Sequence, residues 1–197
     1  MTRLTRVCRA LGVGIAVTTA TLAMTQVANA APAPPTLPPG MGAIAVPGGN
    51  QVFLVGKVST GVQIYKCTAN TDGTTTWKFD HPEATLVGDN GKEIISHSAG
   101  PTWTATDGST AKKKPLVDNK SAPSPTGAIP WLLVTTDGAA GPNGDRLAGT
   151  TFIQRVNTKD GVAPTRACTA GEIEKVGYTA DYYFWKATGN LNSKPGA

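Results

Sequence analysis

The sequence lacks the motifs that most enzyme families display. It contains no GxSxG nucleophile elbow, no Walker phosphate loop and no GxGxxG dinucleotide loop after Leu37. It has only two histidines and three cysteines, and charged residues make up 16% of the chain and aromatic residues 6%. Any catalytic hypothesis therefore depends on scattered residues, and no cofactor is predicted. No segment shows a long 3.6-residue apolar period, which argues against a helical domain.

The first thirty residues have the layout of a secretory signal peptide. Three arginines between Arg3 and Arg9 precede a moderately apolar stretch, Leu11 to Met24, and Ala28-Asn29-Ala30 forms an A-x-A cleavage site. The apolar stretch is too short and too rich in threonine for a membrane span. A Sec-type signal peptide over residues 1–30, cleaved near Ala30, predicts a secreted, extracellular protein with no stable membrane span.

Loss of this leader lowers the charge of the chain. The three arginines leave with it, so the formal net charge of +5 falls to +2. The only basic run, Lys112-Lys113-Lys114, has no interleaved aromatic residues and is typical of a solvated loop. A nucleic-acid partner is therefore not expected.

The cysteines predict one disulfide. Cys8 lies in the leader, which leaves Cys67 and Cys168 as the only pair in a secreted domain. Neither has a Cys or His at ligand spacing, so a metal site is not predicted. The bridge would close a loop of about 100 residues, which the chain-entropy relation values at roughly 4–5 kcal/mol.

The mature chain is predicted to be a single all-β domain. Residues 31–50 form a Pro/Gly-rich spacer, residues 51–187 the domain and residues 188–197 a flexible tail. Asp-Gly and Asn-Gly turns separate short runs of β-branched and aromatic residues, a pattern that predicts an antiparallel sandwich or barrel. Lys112 to Gly127 is the one long irregular loop. The predicted strands are Val52–Val58, Val62–Thr68, Thr75–Phe79, Ala84–Val87, Ile94–Ser98, Thr102–Thr106, Ile129–Thr135, Thr150–Asn157 and Val176–Lys186.

The last of these strands carries aromatic residues on both faces, so we expect it to be covered on both sides. Asp181 shares a face with Trp185, and a covered carboxylate needs a partner. Arg155 is the partner that the sequence suggests. A single helical turn is a further possibility over Glu172 to Val176.

His97 is the residue best suited to chemistry, as a general base or a metal ligand, because it precedes a Gly-Pro break and Trp103. A structural histidine beside a core tryptophan is the favoured alternative. Asp107 and Asp181 are the carboxylates that could orient it. His97, Trp103 and Tyr178 are the candidate ligand-binding residues.

A metal site would need further ligands. His81 lies in what reads as a loop bend, His81-Pro82-Glu83, and could join His97 together with Glu83 or Glu93. Neither HExxH nor HxH spacing supports such a site, so none is predicted.

An ordered set of short motifs resembles a known family. The motifs run from Gly61 to Phe184 and are Gly61–Cys67, Trp77, Pro82–Leu86, His97–Trp103, Asp107–Ser109, Ile129–Leu133, Ile153–Thr158 and Tyr178–Phe184. Together they are similar to the secreted bacterial and fungal family known as domain of unknown function 3455. The resemblance implies secretion and a single domain, and it implies no activity.

Two functional hypotheses remain. The favoured one is a secreted, monomeric, non-catalytic β-domain that binds a small molecule, a glycan or a surface component, or that only mediates surface contacts. The alternative is a secreted hydrolase or metal-dependent enzyme centred on His97 with Asp107 or Asp181.

Overall fold

The computed structural model describes residues 30–191. The predicted signal peptide, Cys8 and the last six residues of the predicted tail lie outside them. Within the described range, neither short 3-10 helix, Gly42–Ile44 or Thr188–Leu191, has the length or apolar character needed to cross a membrane. The strands are β1 Asn50–Ala69, β2 Thr75–Val87, β3 Glu93–Ser98, β4 Thr102–Ala105, β5 Thr110–Lys113, β6 Lys120–Ala122, β7 Trp131–Ala139, β8 Thr150–Asp160 and β9 Ile173–Ala187.

The strands close into an antiparallel barrel. Their order is β5-β4-β3-β2-β1-β9-β8-β7, and β5 also pairs with β7, so eight strands form a continuous ring. The short strand β6 pairs with the start of β7 outside the ring. The all-β prediction is confirmed, and the sheet is a closed barrel rather than a sandwich.

Two pairs of predicted strands are each one long strand. β1 spans both Val52–Val58 and Val62–Thr68, and its pairing with β9 shifts register between Lys57 and Val62. Bulges of this kind let a strand bend without ending. In the same way β2 runs through His81-Pro82-Glu83, so the predicted loop bend at that tripeptide is wrong.

Two further local predictions also differ from the structure. Residues 173–176 belong to β9 and pair with Gln63 to Lys66 of β1, so the helical turn is wrong. The long loop Lys112 to Gly127 contains the end of β5 and all of β6. Cross-strand pairing with β7 overrides the weak strand propensity of these lysine-rich segments.

The inside of the barrel is the main core. It is filled by large side chains from all around the ring, among them Leu86, Ile95, Trp103, Val134, Ile153, Tyr178, Tyr182 and Phe184. The alternate residues of β9 face outward, where Tyr183 packs in a second cluster and Trp185 is also buried. The expectation that this strand is covered on both faces is confirmed only for its C-terminal half, because Gly177 and Thr179 on the outer face are exposed.

The outer cluster is completed by residues ahead of the barrel. Ile44 is fully buried against Trp131, Leu133 and Val156, and partly buried Leu37, Met41 and Val46 also pack there. The Gln154 side chain donates a hydrogen bond to the carbonyl of Ile44 over 2.8 Å. Part of the segment predicted as a spacer thus covers the wall formed by β7 and β8.

Strands β1, β2 and β9 extend past the others as a three-stranded ribbon, because β3 and β8 pair only with the halves nearer the barrel. A disulfide joins Cys67 of the ribbon to Cys168, with 6.0 Å between the Cα atoms. This confirms the predicted bridge. Next to it, the indole of Trp77 donates to the carbonyl of Arg166, whose guanidinium lies 4.9 Å from the ring centroid.

Candidate functional site

A cavity of about 90 Å³ lies where the ribbon meets the barrel. Exposed Phe79 and Asn119 are among its lining residues, so it opens to the surface on their side. Apolar side chains and a few polar groups share the lining, as in many small-molecule sites. The lining residues are Phe79, Pro82, His97, Pro101, Trp103, Asn119, Leu132, Val134, Ile153, Arg155 and Tyr182.

His97 is fixed at the inner wall by pairing and stacking. It lies directly opposite Trp103 in the β3–β4 hairpin, with the two ring centroids 4.3 Å apart and the planes inclined by 5°. Tyr182 meets the imidazole edge-on at 5.5 Å. The imidazole Nδ1 is 3.0 Å from the carbonyl oxygen of Thr102. A carbonyl can only accept, so Nδ1 carries a proton.

Burial is the main cause of an unusual acidity at His97. Burial, opposed by the hydrogen bond to Thr102 and aided by the charge of Arg155, lowers the pKa of the imidazole to about 4. The ring is therefore neutral at pH 7, with a free lone pair on Nε2. A neutral imidazole of this kind can accept a hydrogen bond from a ligand.

Arg155 is the charged residue of the cavity. It projects inward from β8 and is only 9% exposed. Its Nη2 donates to the carbonyl of Pro130 over 2.8 Å, and its buried Nε has no acceptor among the described residues. A guanidinium has five N–H donors. Most of its hydrogen-bonding capacity is thus unused by the protein.

Tyrosines extend the polar interior toward the ribbon. The hydroxyl groups of Tyr178 and Tyr182 are 3.2 Å apart, and the hydroxyl of Tyr65 donates to the carbonyl of Gly161 over 2.7 Å. Burial raises the pKa of Tyr178 and Tyr65, while the positive charge of Arg155 lowers both. The phenols of Tyr65 and Tyr178 are therefore neutral at physiological pH.

Asp107 lies away from His97. It follows the far end of β4, in the turn to β5. One carboxylate oxygen accepts from the backbone N–H and the hydroxyl of Ser109, and the other accepts from the backbone N–H of Arg146. These hydrogen bonds, above all the one from the Ser109 hydroxyl, lower the pKa of Asp107 to about 2. The structure does not bring this carboxylate to the imidazole.

Asp181 faces outward, because it is opposite Val156 while its neighbour Tyr182 is opposite Arg155. Its carboxylate accepts from the Asn157 side chain over 2.8 Å. Arg155 and Asp181 therefore lie on opposite faces of the barrel wall, and the ion pair suggested by the sequence is wrong.

The other histidine lies away from the cavity lining. His81 contacts Asp80 at 2.8 Å and Glu83 at 3.7 Å on the partly exposed surface of the ribbon. No group of three or more metal-ligating side chains occurs among residues 30–191.

The sequence indicated two of the residues that line the cavity and missed three polar ones, Asn119, Arg155 and Tyr182. His97 and Trp103 line it together, whereas Tyr178 does not line it and is hydrogen-bonded to Tyr182, which does. Arg155 and Tyr182 were not identified as site residues. A signal existed, since Arg155 alternates with buried Ile153 along β8 and must share its inward face.

The fold and the cavity define the chain as a closed antiparallel β-barrel with a small, partly polar cavity at one end. The chain belongs to the family described as protein of unknown function DUF3455, whose sequence profile matches residues 47–186. This confirms the family resemblance. No curated protein and no solved structure matches the chain.

Proposed function

We propose that the chain is a secreted, non-catalytic binding domain that takes a small molecule into the cavity beside His97. The cavity itself carries the proposal. It is lined by apolar walls, and donors and acceptors converge on it from Arg155, His97 and Tyr182. A few polar groups in an apolar concave site are the usual arrangement for binding a small ligand with a defined orientation.

The arrangement around His97 favours binding over catalysis. A general base that works near pH 7 needs a pKa near that value and usually a group that orients it. Burial instead lowers the pKa of His97 to about 4, and its Nδ1 bonds a backbone carbonyl rather than a carboxylate. The volume of about 90 Å³ also suits a few non-hydrogen atoms better than a sugar.

Secretion is supported by the leader pattern and by the disulfide, since structural disulfides persist in oxidising compartments. Expression from the natural start codon in a bacterial host should export the chain with Ala31 as its first residue. N-terminal sequencing of the exported protein checks this. Recovery only in the cytoplasm with Met1 retained would contradict it.

A cavity-filling variant tests the binding proposal. Val134→Leu adds a methylene at the cavity wall, and Val156→Leu makes the same change in the outer cluster. Neutral 1-propanol and propionamide are titrated by calorimetry into each form. We expect both to bind the parent and Val156→Leu, and to bind Val134→Leu at least about tenfold more weakly. Equal binding to all three forms, or no binding by any neutral or anionic probe of this size, would rule the cavity out as the site.

A further inference from the structure

We infer that the ligand of this cavity is a short carboxylate of two or three carbons, whose anionic group lies against the guanidinium of Arg155. This inference rests on the proposed binding function and names the chemistry of its ligand.

The cavity contains a positive charge that the protein does not neutralise. Arg155 is the only charged residue in the lining, and none of the ion pairs among residues 30–191 includes it. Burying a guanidinium is unfavourable unless an anion and acceptors compensate it. Here the protein supplies one carbonyl, from Pro130. A bound carboxylate would supply the charge and the acceptors that are missing.

The remaining polar groups suit a carboxylate rather than a more highly charged anion. His97 is neutral, so the site offers a single positive charge, which matches a monoanion. The planar guanidinium fork pairs with the two oxygens of a carboxylate in parallel hydrogen bonds. The Tyr182 hydroxyl, also in the lining, can donate a further bond.

The apolar walls and the volume set the size of the ligand. Leu132, Val134 and Ile153 present aliphatic surface beside Arg155, which suits a short hydrocarbon end. An apolar cavity of about 150 Å³ accommodates benzene, with six carbons. By that proportion, the cavity of about 90 Å³ holds about four non-hydrogen atoms, which corresponds to acetate, and propionate exceeds this by one atom that the open side of the cavity can take.

Calorimetric titration of the purified chain with propionate, propionamide and 1-propanol separates this inference from the proposed function. The three probes are similar in size, and only propionate is charged. We expect propionate to bind at least about tenfold more tightly than either neutral probe at pH 7. Equal binding of all three would overturn the carboxylate assignment and leave the cavity as a binding site. Binding of none would overturn both proposals.

Two substitutions test whether Arg155 causes the preference for propionate over the neutral probes. Arg155→Met removes the charge, and Arg146→Met removes an exposed arginine whose backbone, not its side chain, holds the Asp107 turn. We expect Arg155→Met to reduce the propionate preference to within about twofold and Arg146→Met to retain it. A preference that persists in Arg155→Met would overturn the role of Arg155. If Arg155→Met does not fold, Arg155→Lys replaces it, because lysine keeps the positive charge but lacks the planar fork of donors. Arg155→Lys should weaken propionate binding without abolishing it. An unchanged affinity in Arg155→Lys would overturn the paired hydrogen bonds.

Discussion

His97 and Trp103 form a stacked pair across the β3–β4 hairpin, with ring centroids 4.3 Å apart and planes nearly parallel. Both side chains are at least 95% buried, and Tyr182 contacts each of them edge-on. This contact fixes the imidazole as a neutral wall of the cavity. The sequence favours the same interpretation, a structural histidine next to a core tryptophan.

The buried imidazole predicts a pH-dependent stability. Because the pKa of His97 falls from its ordinary 6.5 to about 4 on folding, the unfolded state binds more protons between these values. Stability from this group is therefore complete above pH 6.5 and decreases as the pH falls toward 4. We expect about 2 kcal/mol to be lost between pH 7 and pH 5.

Urea unfolding at both pH values measures this loss. Other groups also titrate, so the comparison is with His97→Asn, which keeps a donor for the Thr102 carbonyl but stays uncharged. The parent should lose about 2 kcal/mol more than the variant. Equal losses in both forms would show that His97 is not a buried neutral imidazole.

The disulfide should contribute much of the stability. It joins residues separated by 101 positions, and closing so long a loop removes roughly 4–5 kcal/mol of unfolded-state entropy. The double variant Cys67→Ser, Cys168→Ser should lose about 2–5 kcal/mol in urea unfolding. Reduction of the parent by dithiothreitol should give a similar loss. An unchanged unfolding midpoint in both the double variant and the reduced parent would contradict a disulfide between Cys67 and Cys168.

Two glycines, one in β7 and one in β9, make a matched test of the barrel geometry. A Cβ on Gly138 in β7 would meet the backbone of Leu147 and Thr150, whereas one on Gly177 in β9 would meet nothing within 4 Å. Gly138→Ala should cost at least about 2 kcal/mol, and Gly177→Ala should be neutral or slightly stabilising. Thermal unfolding distinguishes the two, and similar melting temperatures would mean that the β7–β8 connection packs differently.

Asp107 should matter for stability and not for the cavity. Its carboxylate accepts three hydrogen bonds that join the β4–β5 turn to Ser109 and Arg146. Asp107→Ala should therefore lower the melting temperature by about 5 °C while leaving the affinity for propionate unchanged within twofold. Loss of propionate binding at an unchanged melting temperature would instead place Asp107 in the site.

Much of the barrel could be predicted from local sequence patterns. Alternation in β9, the common inward face of Ile95 and His97 in β3, and the Cys67–Cys168 bridge each depend on residue type and spacing alone. Closure of the barrel could not be predicted, because it depends on β5, whose Thr-Ala-Lys-Lys sequence has little strand character. It is a strand because it pairs with β4 on one side and with β7, distant in sequence, on the other.

Only part of the site could be predicted, for a similar reason. His97 and Trp103 lie close in sequence on either side of Gly100-Pro101, whereas Arg155 lies on a strand distant in sequence. The side of β8 that meets Tyr182 is set by the register with β9, which shifts by one residue at each of two irregularities in this strand pair. A shift of one residue moves every side chain to the other face. Arg155 was therefore paired with Asp181, one position from its true neighbour.

The most direct test of the cavity as a ligand site follows the indole N–H signals of the tryptophans by nuclear magnetic resonance during a propionate titration. Trp103 lines the cavity, and Trp185 lies on the outer face of the wall. We predict that the Trp103 signal shifts and saturates while the Trp185 signal stays in place. An unmoved Trp103 signal at saturating propionate, or equal shifts of both indoles, would contradict a ligand site beside His97.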